Sequence, residues 1–176
     1  MRKILIPTDF SKDSLKLAEY AFEKYDNEIV NLILVYPYEF PIWESELYAY
    51  SPGKIINQHI NKEFSQAKNE LVDNYYVHIN SIQMEVFTGV NSMAFKNFMD
   101  YQGIDSAILP QNGFLDIPRF KSKALFNYVE KYVPEVHRVN LVIENREELK
   151  VNETGSGIFY SLKKACQTLG LPIFFN

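Results

Sequence analysis

Residues 3–25, KILIPTDFSKDSLKLAEYAFEKY, decide the fold class of this chain. The apolar run Ile4–Ile6 predicts a buried strand, and Pro7-Thr8-Asp9 form an acidic turn at its end. A helical pattern begins at Ser11, the expected N-cap, and places apolar side chains three and four residues apart. A strand that passes through a turn into an amphipathic helix is typical of α/β layer folds, in which ligands bind beyond the carboxyl ends of the strands.

The same alternation continues through the rest of the chain. Further strands are expected at residues 30–36, 82–87, 104–109 and 139–143. Helices are expected at residues 54–76, from Asn91 or Ser92 to Gly103, and at 122–133. Strands separated by helices imply right-handed crossovers. The predicted fold is therefore an open, doubly wound parallel sheet of about five strands with helices on both faces.

The C-terminal part adds a helix pattern after Thr154-Gly155-Ser156-Gly157 and a short apolar run, LPIFF. The predicted organisation is an α/β domain over residues 1–145 and a helix–strand extension over 146–176, packed on the same domain. The extension would supply a sixth strand. The aromatic segment 37–53 is expected to be either a packed surface loop or a lid.

Composition excludes several classes of function. The formal net charge is -4, which does not favour nucleic-acid binding. No apolar run approaches the roughly 20 residues of a membrane span. The single cysteine, Cys166, excludes an internal disulfide framework and fits a reducing compartment. We therefore expect a cytoplasmic protein without nucleic-acid or membrane partners.

Three stretches together resemble the universal stress protein family: ILIPTDFSKDSLKLAEYA, VNLILVY and VFTGVNSMAFKNFMDYQGIDSAILP. The resemblance covers roughly residues 2 to 145. It implies a five-stranded parallel sheet and a homodimer. Part of that family binds ATP at the carboxyl ends of the strands, so ATP or another adenine nucleotide is the cofactor that the resemblance implies.

The segment after the fourth strand departs from the glycine motif of the ATP-binding members. Pro110 stands at the first glycine position, Gly113 matches the second, and Lys123-Ala124 replace the final Gly-Ser pair. Glycine lets the backbone approach a phosphate closely, whereas proline has no N–H to offer. This departure argues against a phosphate grip of the family type.

Candidate nucleotide-binding residues lie at the predicted strand ends. Asp9 resembles the family's adenine-facing aspartate, and its alternative role is to cap or turn the chain before the first helix. Val35 or Tyr36 would form a wall of the crevice, and Gly89 would admit a ligand to the backbone. For these three the alternative is ordinary strand-end packing.

Two further places could hold an anion. The basic cluster at Lys121, Ser122 and Lys123, with Arg119 before it, lies near an expected helix start, and its alternative is a solvated surface run. Residues 154–157 form a glycine-rich turn before the last helix, for which a structural role is the alternative.

No catalytic residue and no metal site is predicted, because the histidines lack ligand spacing and no nucleophile motif is present. The favoured hypothesis is a non-catalytic, universal stress protein-like protein that acts through dimerisation or a protein partner. The alternative is a nucleotide sensor or weak hydrolase that uses the crevice at Asp9. A more distant alternative is an α/β enzyme of nucleotide metabolism, since fold alone does not choose.

Overall fold

The structure is a computed structural model that describes residues 1–39, 51–89, 91–111, 115–117 and 119–140. These residues belong to one compact unit, Met1–Val142. The predicted boundary near residue 145, the extension with its sixth strand, residues 40–50 of the aromatic segment, Gly113 and the turn at 154–157 lie outside the described residues. Those predictions stay predictions.

The described residues alternate strands and helices as the sequence predicts. In chain order the elements are β1 (Arg2–Pro7), a 3-10 helix (Lys12–Leu15), α1 (Lys16–Lys24), β2 (Val30–Pro37), α2 (Pro52–His59), α3 (Lys62–Tyr75), β3 (Ile79–Phe87), α4 (Ser92–Gln102), β4 (Ser106–Pro110), α5 (Arg119–Tyr132) and β5 (Glu135–Val139).

The five described strands form one parallel sheet in the order β3-β2-β1-β4-β5. Pro7 lies beside Val35, and Pro37 lies beside Phe87, so the carboxyl ends of β1, β2 and β3 form one stepped edge. The strand order reverses direction between β1 and β4, which makes that pair the topological switch point. The predicted doubly wound α/β fold is confirmed.

The sheet has a hydrophobic core on each face, as a doubly wound fold requires. One core joins Ile4, Ile6 and Leu34 to side chains from α1, α2 and α3. The other joins Leu5, Ile33 and Val35 to side chains from α4 and α5. Neighbouring residues of a strand point to opposite faces, so the apolar runs of β1 and β2 supply both cores.

Local capping follows the sequence signals. Ser11 caps the 3-10 helix, with its hydroxyl accepting a hydrogen bond from the Ser14 backbone N–H. Asn91 caps α4 by accepting from the Ala94 backbone N–H at 2.9 Å. Gly103 ends α4 in the left-handed conformation, with φ at 67°. These three predictions of helix ends are confirmed.

Two predicted elements are corrected. The helix predicted over residues 54–76 is two helices, α2 and α3, because Ile60 is extended and Asn61 caps a new helix at Phe64 N. The fifth strand was predicted at 139–143 from its apolar residues. It instead runs over Glu135–Val139.

The remaining differences shift element ends by a few residues. β3 begins three residues earlier than predicted, and α5 begins at Arg119 instead of Ser122. Ser122 is therefore the fourth residue of α5, inside the helix and not at its cap.

Candidate functional site

The turn after β1, residues 8–11, lies at the topological switch point, and we call it the switch-point turn. One oxygen of the Asp9 carboxylate accepts hydrogen bonds from the Ser11 backbone N–H at 2.9 Å and from the Ser11 hydroxyl at 2.6 Å. The other oxygen accepts from the Asp116 backbone N–H at 2.7 Å. Asp116 follows β4, so this carboxylate joins the two loops that flank the switch point.

Phe10 holds the switch-point turn in an unusual backbone conformation. Its φ is 59°, in the left-handed region, which costs a residue with a side chain roughly 1–2 kcal/mol. The ring is 1% exposed and packs at 5.4 Å from the Tyr36 ring and 5.6 Å from the Phe64 ring, centroid to centroid. The Phe10 backbone N–H donates to the Thr8 hydroxyl at 2.9 Å. Ring burial and this bond stabilise a conformation that the backbone alone disfavours.

Tyr36 closes one side of the switch-point turn. Its hydroxyl lies 3.1 Å from His59 Nε2, and His59 Nδ1 lies 2.9 Å from the Ile55 carbonyl oxygen. In the neutral imidazole Nδ1 therefore carries the proton, and Nε2 accepts from the Tyr36 hydroxyl. Burial, and then the neighbouring Tyr38, Asp116 and Asp9, raise the pKa of Tyr36 above its usual value.

Val35 and Gly89 are packed against the protein itself. The Val35 side chain is fully buried in the core with Phe87 and Phe95, and its carbonyl accepts from the Thr8 backbone N–H. A Cβ placed on Gly89 would lie 2.6 Å from Phe87 Cε2 and 2.9 Å from the Ala94 Cβ. Gly89 therefore leaves room for the Phe87 ring and the Ala94 methyl group.

A cavity of about 240 Å³ opens beyond the ends of β2 and β3, against α5. We call it the strand-end cavity. Most of the described residues that line it are apolar or aromatic, and they include one cation and one anion. The lining residues are Pro37, Tyr38, Glu39, Phe87, Thr88, Gly89, Lys121, Ala124, Leu125 and Tyr128.

Lys121 and Glu39 carry the charges of the strand-end cavity. Lys121 Nζ is 3.7 Å from Glu39 Oε2, near the upper limit for an ion pair. The Lys121 side chain is 26% exposed and that of Glu39 is 63% exposed. Lys121 Nζ also lies 5.9 Å from the centroid of the Tyr38 ring. An ion pair with so exposed a carboxylate contributes little to stability.

The predicted site residues thus fall into separate groups. Asp9 and Tyr36 belong to the switch-point turn and its surroundings, and Gly89 and Lys121 line the strand-end cavity. Val35 lies in the core. Lys123 is exposed on α5, and neither it nor Ser122 lines the cavity.

Sequence reasoning missed Phe87, Tyr128 and Glu39 as cavity residues. Phe87 is the last residue of β3, and Ala124, Leu125 and Tyr128 follow Lys121 at helical spacings of three, four and seven. That spacing could have placed them on one face with Lys121. It does not indicate that the face borders an open space.

Two kinds of feature are absent from the described residues. They contain no group of three or more His, Cys, Asp or Glu side chains that could hold a metal ion. They also contain no helix that is long and apolar enough to cross a membrane.

No protein-family model matches the sequence, and no curated protein matches it. Solved structures similar to the chain include universal stress proteins. The similarity is one of fold. UspA from Lactobacillus plantarum is 16% identical, over 79% of this chain and 97% of that one, with a TM-score of 0.45.

Two further similar structures contain bound nucleotides. A universal stress protein in complex with cAMP is 17% identical, over 80% of this chain and 98% of that one, with a TM-score of 0.49. A universal stress protein family protein from Arabidopsis thaliana with AMP bound is 13% identical, over 80% of this chain and 93% of that one, with a TM-score of 0.43. At sequence identities this low, the bound nucleotides describe those proteins and are not transferred to this chain.

Proposed function

We propose that this protein is universal stress protein-like and non-catalytic, and that it acts by association, as a homodimer or with a protein partner. The observation that carries the proposal is the bond between the Asp9 carboxylate and the Asp116 backbone N–H. It joins two loops at the switch point, where an open α/β sheet usually offers its ligand crevice. In this proposal Asp9 holds the two loops together and takes no part in a reaction.

The end of β4 supports the same proposal. Pro110 is the last residue of β4, and it has no backbone N–H with which to hold a phosphate at the first glycine position of the family motif. Lys123 adds a side chain where the motif has glycine, and Ala124 lacks the hydroxyl of the motif's serine. An adenine nucleotide would therefore lack much of the backbone grip that the resemblance implies.

A second candidate function is the binding of an adenine nucleotide as a sensor ligand. The strand-end cavity favours it, because Gly89 and Lys121 both line this space. A lysine ammonium group is a common partner for phosphate oxygens. The cavity also lies at the carboxyl ends of parallel strands, where ligands of α/β proteins bind.

One experiment separates the two candidates. ATP, ADP and AMP are titrated into the full-length protein while its melting temperature and its mass by light scattering are measured. We expect no nucleotide-dependent rise and a mass of at least twice the 20.6 kDa of the chain. A ligand at 100 times its Kd adds about 2.7 kcal/mol of stability, a rise of roughly 5–10 °C for a domain of this size.

Asp9→Ala and Asp13→Ala form a matched pair for this titration. Asp13 is an acidic residue just beyond the switch-point turn whose carboxylate pairs with Lys16 instead of Asp116. A nucleotide-dependent rise that disappears in Asp9→Ala and persists in Asp13→Ala overturns the association proposal in favour of the sensor. A monomeric mass at all concentrations, in the absence of a partner, would count against the homodimer.

A further inference from the structure

The walls of the strand-end cavity form an ordered aromatic surface. Phe87 is 6% exposed, and its ring meets the Phe95 ring edge-on at 5.5 Å and the Phe98 ring at 5.5 Å. Leu125 is almost fully buried on the opposite wall, one helical turn before Tyr128. Packed rings that border an open space suit a flat aromatic ligand, because such a ligand can stack on them or meet them edge-on.

The volume of the strand-end cavity limits the size of the ligand. An apolar cavity of about 150 Å³ holds benzene. At about 240 Å³ this cavity has room for a second fused ring. It is smaller than the roughly 300–1,000 Å³ of sites for larger organic ligands.

The charges of the cavity limit the charge of the ligand. Among the described residues that line the cavity, Lys121 is the one cation and Glu39 is the one anion. The Glu39 carboxylate is mostly in water at 3.7 Å from Lys121 Nζ, so a ligand carboxylate can take its place at little cost. A triphosphate would bring several negative charges to a cavity whose described lining offers one lysine, and that lysine already has an acidic neighbour.

We infer that the strand-end cavity binds a planar, bicyclic aromatic compound with one negative charge. Its rings lie against the sides of Phe87 and Tyr128 that line the cavity, and its anionic group replaces Glu39 at Lys121. This inference goes beyond the proposed function, because it requires neither association nor a nucleotide. The bond between Asp9 and Asp116 stays intact when the ligand binds.

The test uses indole-3-carboxylate as the probe and the full-length protein, with binding followed by protein-observed NMR. For a ligand of about twelve non-hydrogen atoms we expect a Kd of about 1 mM. The neutral amide, indole-3-carboxamide, should bind about tenfold more weakly, because it loses the charge-assisted contact with Lys121.

Four variants test whether indole-3-carboxylate binds in the strand-end cavity. Lys121→Met keeps the length of the side chain and should weaken the carboxylate about tenfold. Lys123→Met is the matched control on the exposed side of the same helix and should leave the Kd unchanged. Glu39→Gln should tighten binding about threefold, because it removes the competing carboxylate. Ala124→Leu should abolish binding by filling the cavity, with folding checked by the same NMR spectra.

Three results would overturn the inference. The first is no saturable binding of indole-3-carboxylate at several times the expected Kd. The second is an equal response to Lys121→Met and Lys123→Met, or equal affinity for the acid and the amide. The third is ATP binding more tightly than the probe in a manner that depends on Lys121. The nucleotide titration with Asp9→Ala measures melting temperature and does not involve the indole probe. Failure of the proposed function therefore leaves the outcome of this binding test open.

Discussion

The switch-point turn and the strand-end cavity lie along the same edge of the sheet, yet they use their polar groups in opposite ways. At the switch-point turn both oxygens of Asp9 accept hydrogen bonds from the protein, and the Phe10 ring is buried against Tyr36 and Phe64. At the cavity the ion pair of Lys121 and Glu39 is long and exposed, and about 240 Å³ is open. At the position that resembles a ligand site the protein's own hydrogen bonds engage the Asp9 carboxylate, whereas the open space lies beyond the ends of the neighbouring strands β2 and β3.

The difference teaches that position in an α/β fold and availability for a ligand are separate properties. Asp9 follows β1 at the switch point, as the adenine-facing aspartate of the resembled family does. Its hydrogen bonds make it a structural link between two loops. Ala124, which has a small side chain, lines the cavity between larger aromatic residues.

The largest expected effect tests how closely the switch-point turn is packed. Phe10→Ala should lower the free energy of unfolding by about 3–5 kcal/mol, because the buried ring and its contacts with Tyr36 and Phe64 are lost. Urea unfolding measures it. A loss below about 1 kcal/mol would show that the Phe10 ring is not tightly packed. It would contradict the contrast between the switch-point turn and the strand-end cavity.

Phe10→Gly is the control for the backbone part of this effect. Glycine adopts a φ of 59° without strain, which is worth about 1–2 kcal/mol at a left-handed position and offsets its greater freedom in the unfolded chain. We therefore expect Phe10→Gly to be at least as stable as Phe10→Ala. The reverse order would show that the left-handed turn is not maintained.

A smaller effect is expected beside the strand-end cavity. Gly89→Ala places a methyl group against the Phe87 ring and the Ala94 side chain, and overpacking of this kind costs about 1–3 kcal/mol. We expect the low end of that range, because the cavity gives the Phe87 ring space to move into. The same movement should weaken the binding of indole-3-carboxylate.

Gly53→Ala is the matched control for Gly89→Ala. Gly53 lies in the first turn of α2, and the nearest atom to an added Cβ is Ser51 Oγ at 4.0 Å. Alanine should stabilise this helix by about 0.5–1 kcal/mol. Opposite signs at the two glycines support the packing at Gly89, whereas a stabilising Gly89→Ala would contradict it.

Most of the fold could be predicted from the sequence, because its central strands are buried on both sides. The apolar run of β2 was predicted as residues 30–36 and is observed at Val30–Pro37. β5, the outermost of the described strands, was misplaced, because Glu135, His137 and Arg138 make its sequence polar while the apolar residues after it fit a buried strand. Most of the β5 residues are partly exposed, so they need not be apolar.

Less of the candidate site could be predicted, because it depends on contacts between distant residues. The sequence indicated Asp9 by its place after β1, but it did not show that Asp116 would meet the carboxylate. Phe87 and Tyr128 are ordinary aromatic residues in their own segments. Only the fold, which places the end of β3 near α5, brings them to one cavity.

The smallest effect tests the switch-point turn through pH. Burial raises the pKa of Tyr36 above its usual 10.0, with the negative charges of Tyr38, Asp116 and Asp9 as further causes. The unfolded chain therefore loses this proton first as pH rises. The stability that depends on the raised pKa is present below about pH 10 and is lost as pH rises through the folded-state pKa. Unfolding measured between pH 8 and 11 should show a steeper loss in the wild type than in Tyr36→Phe.

Tyr36→Phe should also cost about 0.5–1.5 kcal/mol at neutral pH, because His59 Nε2 loses the hydroxyl that donates to it. Tyr101→Phe, at a side chain that is 86% exposed, controls for the loss of a tyrosine elsewhere on the surface. Equal alkaline slopes for the wild type and Tyr36→Phe would place the Tyr36 hydroxyl in water. That result would contradict the burial of Tyr36 beside the switch-point turn and weaken the contrast between this turn and the strand-end cavity.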